Sequence, residues 1–74
     1  MFTAEIYDEQ EAKTKYPQVF NNLKVPAGFE FAQFLVFGSY FNVAYTDPSN
    51  ENVTYGAEGE VTSGKVLTES VEED

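Results

Sequence analysis

The pattern of apolar and polar positions centres on one stretch, Phe29 to Tyr45, which holds seven of the twelve aromatic residues. It predicts two antiparallel strands, 29–37 and 40–46, joined by Gly38-Ser39. A Gly-first loop suits a type II′ turn, since glycine accepts the positive φ that matches strand twist. A ladder without a bulge sets Phe37 opposite Tyr40, Val36 opposite Phe41, Leu35 opposite Asn42, Phe34 opposite Val43, Gln33 opposite Ala44 and Ala32 opposite Tyr45. Side chains alternate and paired residues share a face. One face then gathers Ala32, Phe34, Val36, Phe41, Val43 and Tyr45, an apolar set that reads as the core side.

The opposite face gathers Phe29, Phe31, Leu35, Phe37 and Tyr40, diluted by Gln33, Asn42, Ala44 and Thr46, and is too apolar to be left wholly in water. Three things could cover it: the chain's own helix, a second copy of the chain, or a different protein. A bulge near Gln33 that re-aims Phe29 and Phe31 inward is the other way to dispose of these rings.

Before this hairpin, residues 2–7 alternate Phe2, Ala4 and Ile6 with Thr3, Glu5 and Tyr7 and read as a half-buried strand. Asp8 offers an N-cap with Glu11 three residues on, and Glu9–Lys13 and Glu11–Lys15 are i,i+4 pairs with the acid first, the favourable order. A helix is expected from here, with Ala12, Tyr16, Val19, Phe20 and Leu23 at helical spacing. Pro17 imposes either a kink or a fresh helical turn that it begins, ending at Asn21-Asn22, where asparagine tolerates a left-handed cap. Val25-Pro26-Ala27-Gly28 reads as a type I turn with proline at its second position.

After the hairpin, Asp47-Pro-Ser-Asn-Glu-Asn52 is a polar loop and 53–57 a further strand, with 60–62 and 65–67 flanking a Ser63-Gly64 turn at a sheet edge. Residues 68–74 carry one valine and four acids and read as a disordered acidic tail. The expected fold is α+β, one domain over 1–67: an antiparallel sheet of about four to five strands with one N-terminal helix, in β-α-β-β-β(-β) order.

Charge narrows the partners. Thirteen Asp and Glu face four Lys, with no Arg or His, for a net charge of −9. Phosphate neutralisation needs Lys and Arg, so direct contact with nucleic acid or an anionic membrane is not expected. A basic surface on another protein is what this field attracts, although acidity also simply confers solubility. The absence of cysteine removes disulfides and thiolate metal sites and suits a reducing, cytoplasmic setting. No signal peptide or transmembrane run is read in the chain.

Candidate chemistry is sparse. Histidine and cysteine, the common bases and nucleophiles, are absent, and no phosphate loop or zinc-ligand set occurs. Glu58 and Glu60 are the nearest carboxylate pair on one strand face, but so small a domain offers no evident substrate cleft, so no enzyme activity and no cofactor are expected. Asp47, Ser49, Glu51, Val53, Tyr55 and Glu58 fall at positions 1, 3, 5, 7, 9 and 12 of a calcium-loop spacing. Asn52 stands where that loop needs glycine and strands flank it, so a plain hairpin loop is the reading kept. Asn52-Val53-Thr54 spells a glycosylation sequon with nothing to direct the chain to a secretory route.

The segment from Tyr16 to Glu30, a helical piece followed by Val25-Pro-Ala-Gly-Phe-Glu30 and then a strand, resembles a segment of small bacteriophage-encoded inhibitors of bacterial RNA polymerase. It is also similar to short β-rich phage proteins with a Val-Pro-x-Gly-(Phe/Tyr)-Glu entry to a strand. In the inhibitors the following strand carries arginines that contribute to binding; Gln33 and Leu35 stand at those places here. The resemblance implies an accessory protein that acts on a host nucleic-acid-handling protein by contact. With the residue reading, it nominates Glu9 and Glu11 as charges and Phe31, Leu35, Phe37 and Tyr40 as apolar anchors for that partner. A self-assembling structural or virion-associated protein, using the same face or a sheet edge to form at least a homodimer, is the alternative.

Overall fold

The computed structural model describes residues 3–73. Five strands, β1 (Glu5–Tyr7), β2 (Glu30–Phe37), β3 (Tyr40–Asp47), β4 (Asn50–Glu60) and β5 (Val66–Glu73), form one antiparallel sheet in the order of the sequence. Two short helices, α1 (Glu9–Lys15) and α2 (Pro17–Asn22), lie between β1 and β2 in the chain. The fold is thus α+β, with two helices where one was expected. The reason is Pro17: Tyr16 takes φ −128° and ψ 56°, outside helical geometry, and Pro17 then begins α2.

The central hairpin follows the expected register from Phe37↔Tyr40 to Gln33↔Ala44. Gly38 at φ 62°, with no left-handed residue after it, closes the turn. Beyond Gln33 the ladder slips. Ala32 becomes the extra residue of a bulge and Phe31, in place of Ala32, pairs with Tyr45. Burial drives the slip: it turns Phe31 and Phe29 against the core and leaves the small, cheaply solvated Ala32 exposed.

That core lies between the helices and one face of the sheet. Phe34 is its centre, fully buried, with Tyr16 and Phe20 stacked on it at 5.9 and 5.4 Å between ring centroids and Phe41 at 5.9 Å beside it. Tyr7 meets Phe34 edge-on at 6.2 Å. Ala12 and Val19 are the fully buried residues of α1 and α2. α1 begins on Asp8, whose carboxylate accepts the Glu11 N–H at 2.8 Å, and Glu9 pairs with Lys13 at 3.3 Å. Lys15 instead donates to the Tyr7 hydroxyl at 3.2 Å, so the second expected helix pair is replaced.

Several local expectations shift. In β1 the side that packs inward is Tyr7, opposite Phe34, whereas Ala4 and Ile6 point outward; Phe2 lies outside the described residues. Once helices follow at Asp8, the residue nearest Tyr16 and Phe34 gains most from burial, and that is Tyr7. The turn into β2 is one residue later than expected: Phe29 N–H bonds to Pro26 O at 3.2 Å, placing Gly28 at φ 88° in the third position, as type II turns require. α2 ends without a left-handed asparagine. Asn22 Nδ2 instead donates to Gly64 O at 2.8 Å, and Gln18 Nε2 to Val61 O at 2.7 Å, tying the helix to the β4–β5 connection.

The segment from Thr68, expected to be a disordered tail, is the outer strand β5, paired with β4 from Val66 to Glu73; Asp74 lies outside the described residues. Composition foretells how much apolar surface a segment can bury, but a sheet edge also supplies a ladder of backbone partners, and β4 offers one from Val53 to Gly59.

Gly64 holds this architecture at a single point. Its φ is 75° and its Cα sits against the Gln18 backbone, so any side chain there both strains the turn and pushes α2 off the sheet. At Gly28, also left-handed, an added Cβ would meet nothing within 4 Å. Gly64→Ala should therefore lose at least ~2 kcal/mol in urea unfolding, and Gly28→Ala only about 1 kcal/mol. Equal losses would show that the α2 contact is not a constraint.

Candidate functional site

Pairing across the ladders sorts the face away from the helices into rows. One runs Ile6, Leu35, Asn42, Glu58, Thr68; the next holds Phe37, Tyr40 and Glu60; two more run Gln33, Ala44, Gly56, Ser70 and Glu30, Thr46, Thr54, Glu72. The apolar residues collect near the Gly38 turn. Ile6 is 79% exposed, Tyr40 47% and Phe37 38%, with Leu35 half-buried among them. The Phe37 and Tyr40 rings lie 6.5 Å apart at 36°. Leu67, the extra residue of a β5 bulge, is 54% exposed and lines a hollow of about 200 Å³ with Phe37, Tyr40 and Glu58.

This open face carries four carboxylates, Glu30, Glu58, Glu60 and Glu72, and no lysine at any of its paired positions. Glu58 accepts a hydrogen bond from Asn42 Nδ2 at 3.0 Å, which leaves its charge without a cation. The lysines stand elsewhere: Lys13 and Lys15 on α1, Lys24 after α2 and Lys65 before β5. The sheet face is thus a greasy corner bordered by uncompensated negative charge.

The six nominated residues divide between the two sides of the sheet. Leu35, Phe37 and Tyr40 share the open face. Phe31 does not: the bulge turns it to the helix side, where it meets Tyr45 edge-on at 5.7 Å, half-buried. Glu9 and Glu11 sit on α1, on the helix-covered side. Glu9, already paired with Lys13, borders a hollow of about 450 Å³ with Phe20, Leu23, Val25, Phe29 and Tyr45. No single partner surface can use all six. Ile6 and Leu67 join the open-face group unpredicted; the outward phase of β1 depends on Tyr7 packing, and Leu67 is brought in by a bulge, so neither was readable from alternation.

The loop with calcium-like spacing does not converge. β4 already begins at Asn50, the hairpin turns at Pro48-Ser49, and Tyr55 and Glu58 fall on opposite faces of one strand. Asp47 accepts the Ser49 N–H at 2.9 Å, as a plain turn would have it. Among the described residues no three of His, Cys, Asp and Glu are grouped as metal ligands. No described helix is long and apolar enough to cross a membrane.

On the helix side three tyrosines are perturbed: Tyr7, raised first by its hydrogen bond with Tyr16, and Tyr45 and Tyr55, raised further. Burial, then the negative charge of Glu9, pushes Tyr45 up to about 12. Burial, then its hydrogen bond to Glu69 Oε2 at 2.7 Å, pushes Tyr55 up to about 12, although that hydroxyl also accepts the Lys24 N–H at 3.3 Å. Tyr45 and Tyr55 both link the core to acids on its rim.

The chain matches no protein-family model, no curated protein and no solved structure.

Two measurements check this geometry. Phe37→Ser, on the open face, should cost less than about 1 kcal/mol of stability, against roughly 3–5 kcal/mol for Phe34→Ala in the core; similar losses would mean that the open face is buried in the monomer. For Tyr45 and Tyr55, a raised folded-state value means the neutral form is favoured by folding. Their stabilising contribution is therefore intact below roughly pH 10, the unfolded value, and is lost as pH climbs through about 12. An absorbance titration should show at least two late-ionising tyrosines, Tyr45 and Tyr55, with unfolding setting in over that window; complete ionisation near pH 10 without unfolding would refute it.

Proposed function

We propose that this chain is a small acidic interaction module that binds a host protein through its open sheet face and inhibits it by contact rather than by chemistry. The supporting observation is the face itself: Leu35, Phe37 and Tyr40, with Ile6 and Leu67, stand outside the chain's own helices, bordered by Glu30, Glu58, Glu60 and Glu72. An aromatic anchor group rimmed by charge is the anatomy of a binding hot spot. A basic protein surface is its complement, and duplex or single-stranded nucleic acid, which needs cations to hold its phosphates, is not.

The kind of partner follows from the Val25–Glu30 junction. That segment resembles the strand entry of phage-encoded RNA polymerase inhibitors, and the positions that carry their arginines, Gln33 and Leu35, both lie on the open face. A phage-type accessory protein acting in the host cytoplasm on a nucleic-acid-handling enzyme is the reading that joins these points. Because Gln33 and Leu35 are uncharged, affinity here comes from the aromatic corner and its flanking acids, with Glu9 and Glu11 adding only to the long-range field from the other side. Self-assembly through the same face is opposed by the net charge of −9 on each copy.

The test is capture from bacterial lysate at low and high salt, paired with transcription by purified bacterial RNA polymerase. The wild-type chain should retain a basic host protein at low salt, lose much of it at high salt, and depress transcription. Folded Phe37→Ser should lose both effects. Retention of the same proteins by Phe37→Ser, or self-association of the pure chain through Phe37, would sink the proposal.

A further inference from the structure

The sheet has two edges that differ in kind. β1 is three residues long, too short to template another strand, which is how many sheets protect an edge. β5 is eight residues long, pairs on one side with β4, and on the other pairs with no strand of the described chain. It contains neither proline nor lysine, the usual devices that block an edge, and its one irregularity falls near its start, at Leu67. Seven of its residues are exposed, Val71 at 49% among them. A row of backbone donors and acceptors is therefore open along this strand.

Charge decides what can use it. Lys24 and Lys65 flank the start of β5, lining a hollow with Val66 and Glu69. From Glu69 onward the only charges on the strand are acids, Glu69 and Glu73 on the helix side and Glu72 on the open side. A second copy brings the same three carboxylates, so edge-to-edge pairing of this chain with itself starts against like charge. A strand of opposite sign meets no such penalty, and it finds carboxylates on both faces of the edge.

We infer that β5 is a docking edge for an extended basic segment of the partner, which adds to the sheet as a sixth strand with Lys or Arg set against Glu69, Glu72 and Glu73. Main-chain bonds supply the general affinity of such an addition and the alternating side chains its selectivity. The ladder with β4 fixes the strand from Val66 to Glu73, and the Tyr55 hydroxyl donates to Glu69 Oε2 at 2.7 Å, which orders that carboxylate. From the proposed function the inference takes only the basic character of the partner; the surface differs from the Phe37 corner.

The probe is a capped peptide of alternating Lys and Val, about as long as β5, titrated into the full chain at low ionic strength and followed by amide NMR. Shifts and slowed exchange should concentrate on Val66–Glu73. The same peptide with Glu for Lys, and the Glu72→Lys/Glu73→Lys double variant with the original peptide, should each bind at least roughly tenfold more weakly. Folded Phe37→Ser should bind the peptide as well as wild type, even where it loses the host protein, so the two proposals fail separately. The edge is overturned if both peptides bind alike, if no β5 amide responds, if Phe37→Ser abolishes peptide binding, or if the peptide-free chain dimerises with β5 protected.

Discussion

The stacking of Tyr16, Phe20 and Phe41 about Phe34 is the interaction on which the rest of the molecule depends. It commits both helices to one side of the sheet. With helices of seven and six residues both on that side, the described residues lay no element over the other. Burying the aromatic cluster on one face and leaving Leu35, Phe37 and Tyr40 on the other are two consequences of one packing choice. Small domains bury a limited fraction of their surface, and here the uncovered fraction is concentrated rather than scattered.

The anchoring of α2 shows how so small a core is kept from sliding. Gln18 and Asn22 bond to backbone carbonyls of the β4–β5 connection, and the Gly64 backbone lies against Gln18, so helix position and edge-strand position are set together. Tyr55 extends that linkage to β5 through Glu69. The outer strand is thus tied to the core by one buried phenol and by its ladder with β4, and its other side is free to meet something else.

Electrostatics then distinguishes the two kinds of surface. On the helix side, Lys13 offsets Glu9, and Lys15, held on the Tyr7 hydroxyl, sits over the Tyr7 and Tyr16 rings. On the open face and along β5 from Glu69 the acids stand without lysine neighbours across the ladder. Like charge on two copies opposes their contact, and on the reading proposed above the same field draws a basic partner toward the apolar corner.

The alternation of residues 29–46 and the Gly38-Ser39 turn were sufficient to determine the central hairpin and its register from Phe37 to Gln33, Asp8 with Glu11 the capping of α1, and Pro17 an interruption of the helix, though not that a second helix would follow it. These rest on local rules: side-chain period, turn chemistry, capping and proline geometry act over a few residues and leave their mark in the order of the residues. The bulge at Ala32, the inward turn of Phe31 and Tyr7, the outward turn of Ile6 and the pairing of Thr68–Glu73 with β4 were decided only in three dimensions. Each depends on how much area a residue can bury against a distant neighbour, and neither Phe34's surroundings nor the free side of β4 is written in the local pattern. For that reason Leu35, Phe37 and Tyr40 were legible as a face, their separation from Phe31 only as one of several open alternatives, and their separation from Glu9 and Glu11 not at all.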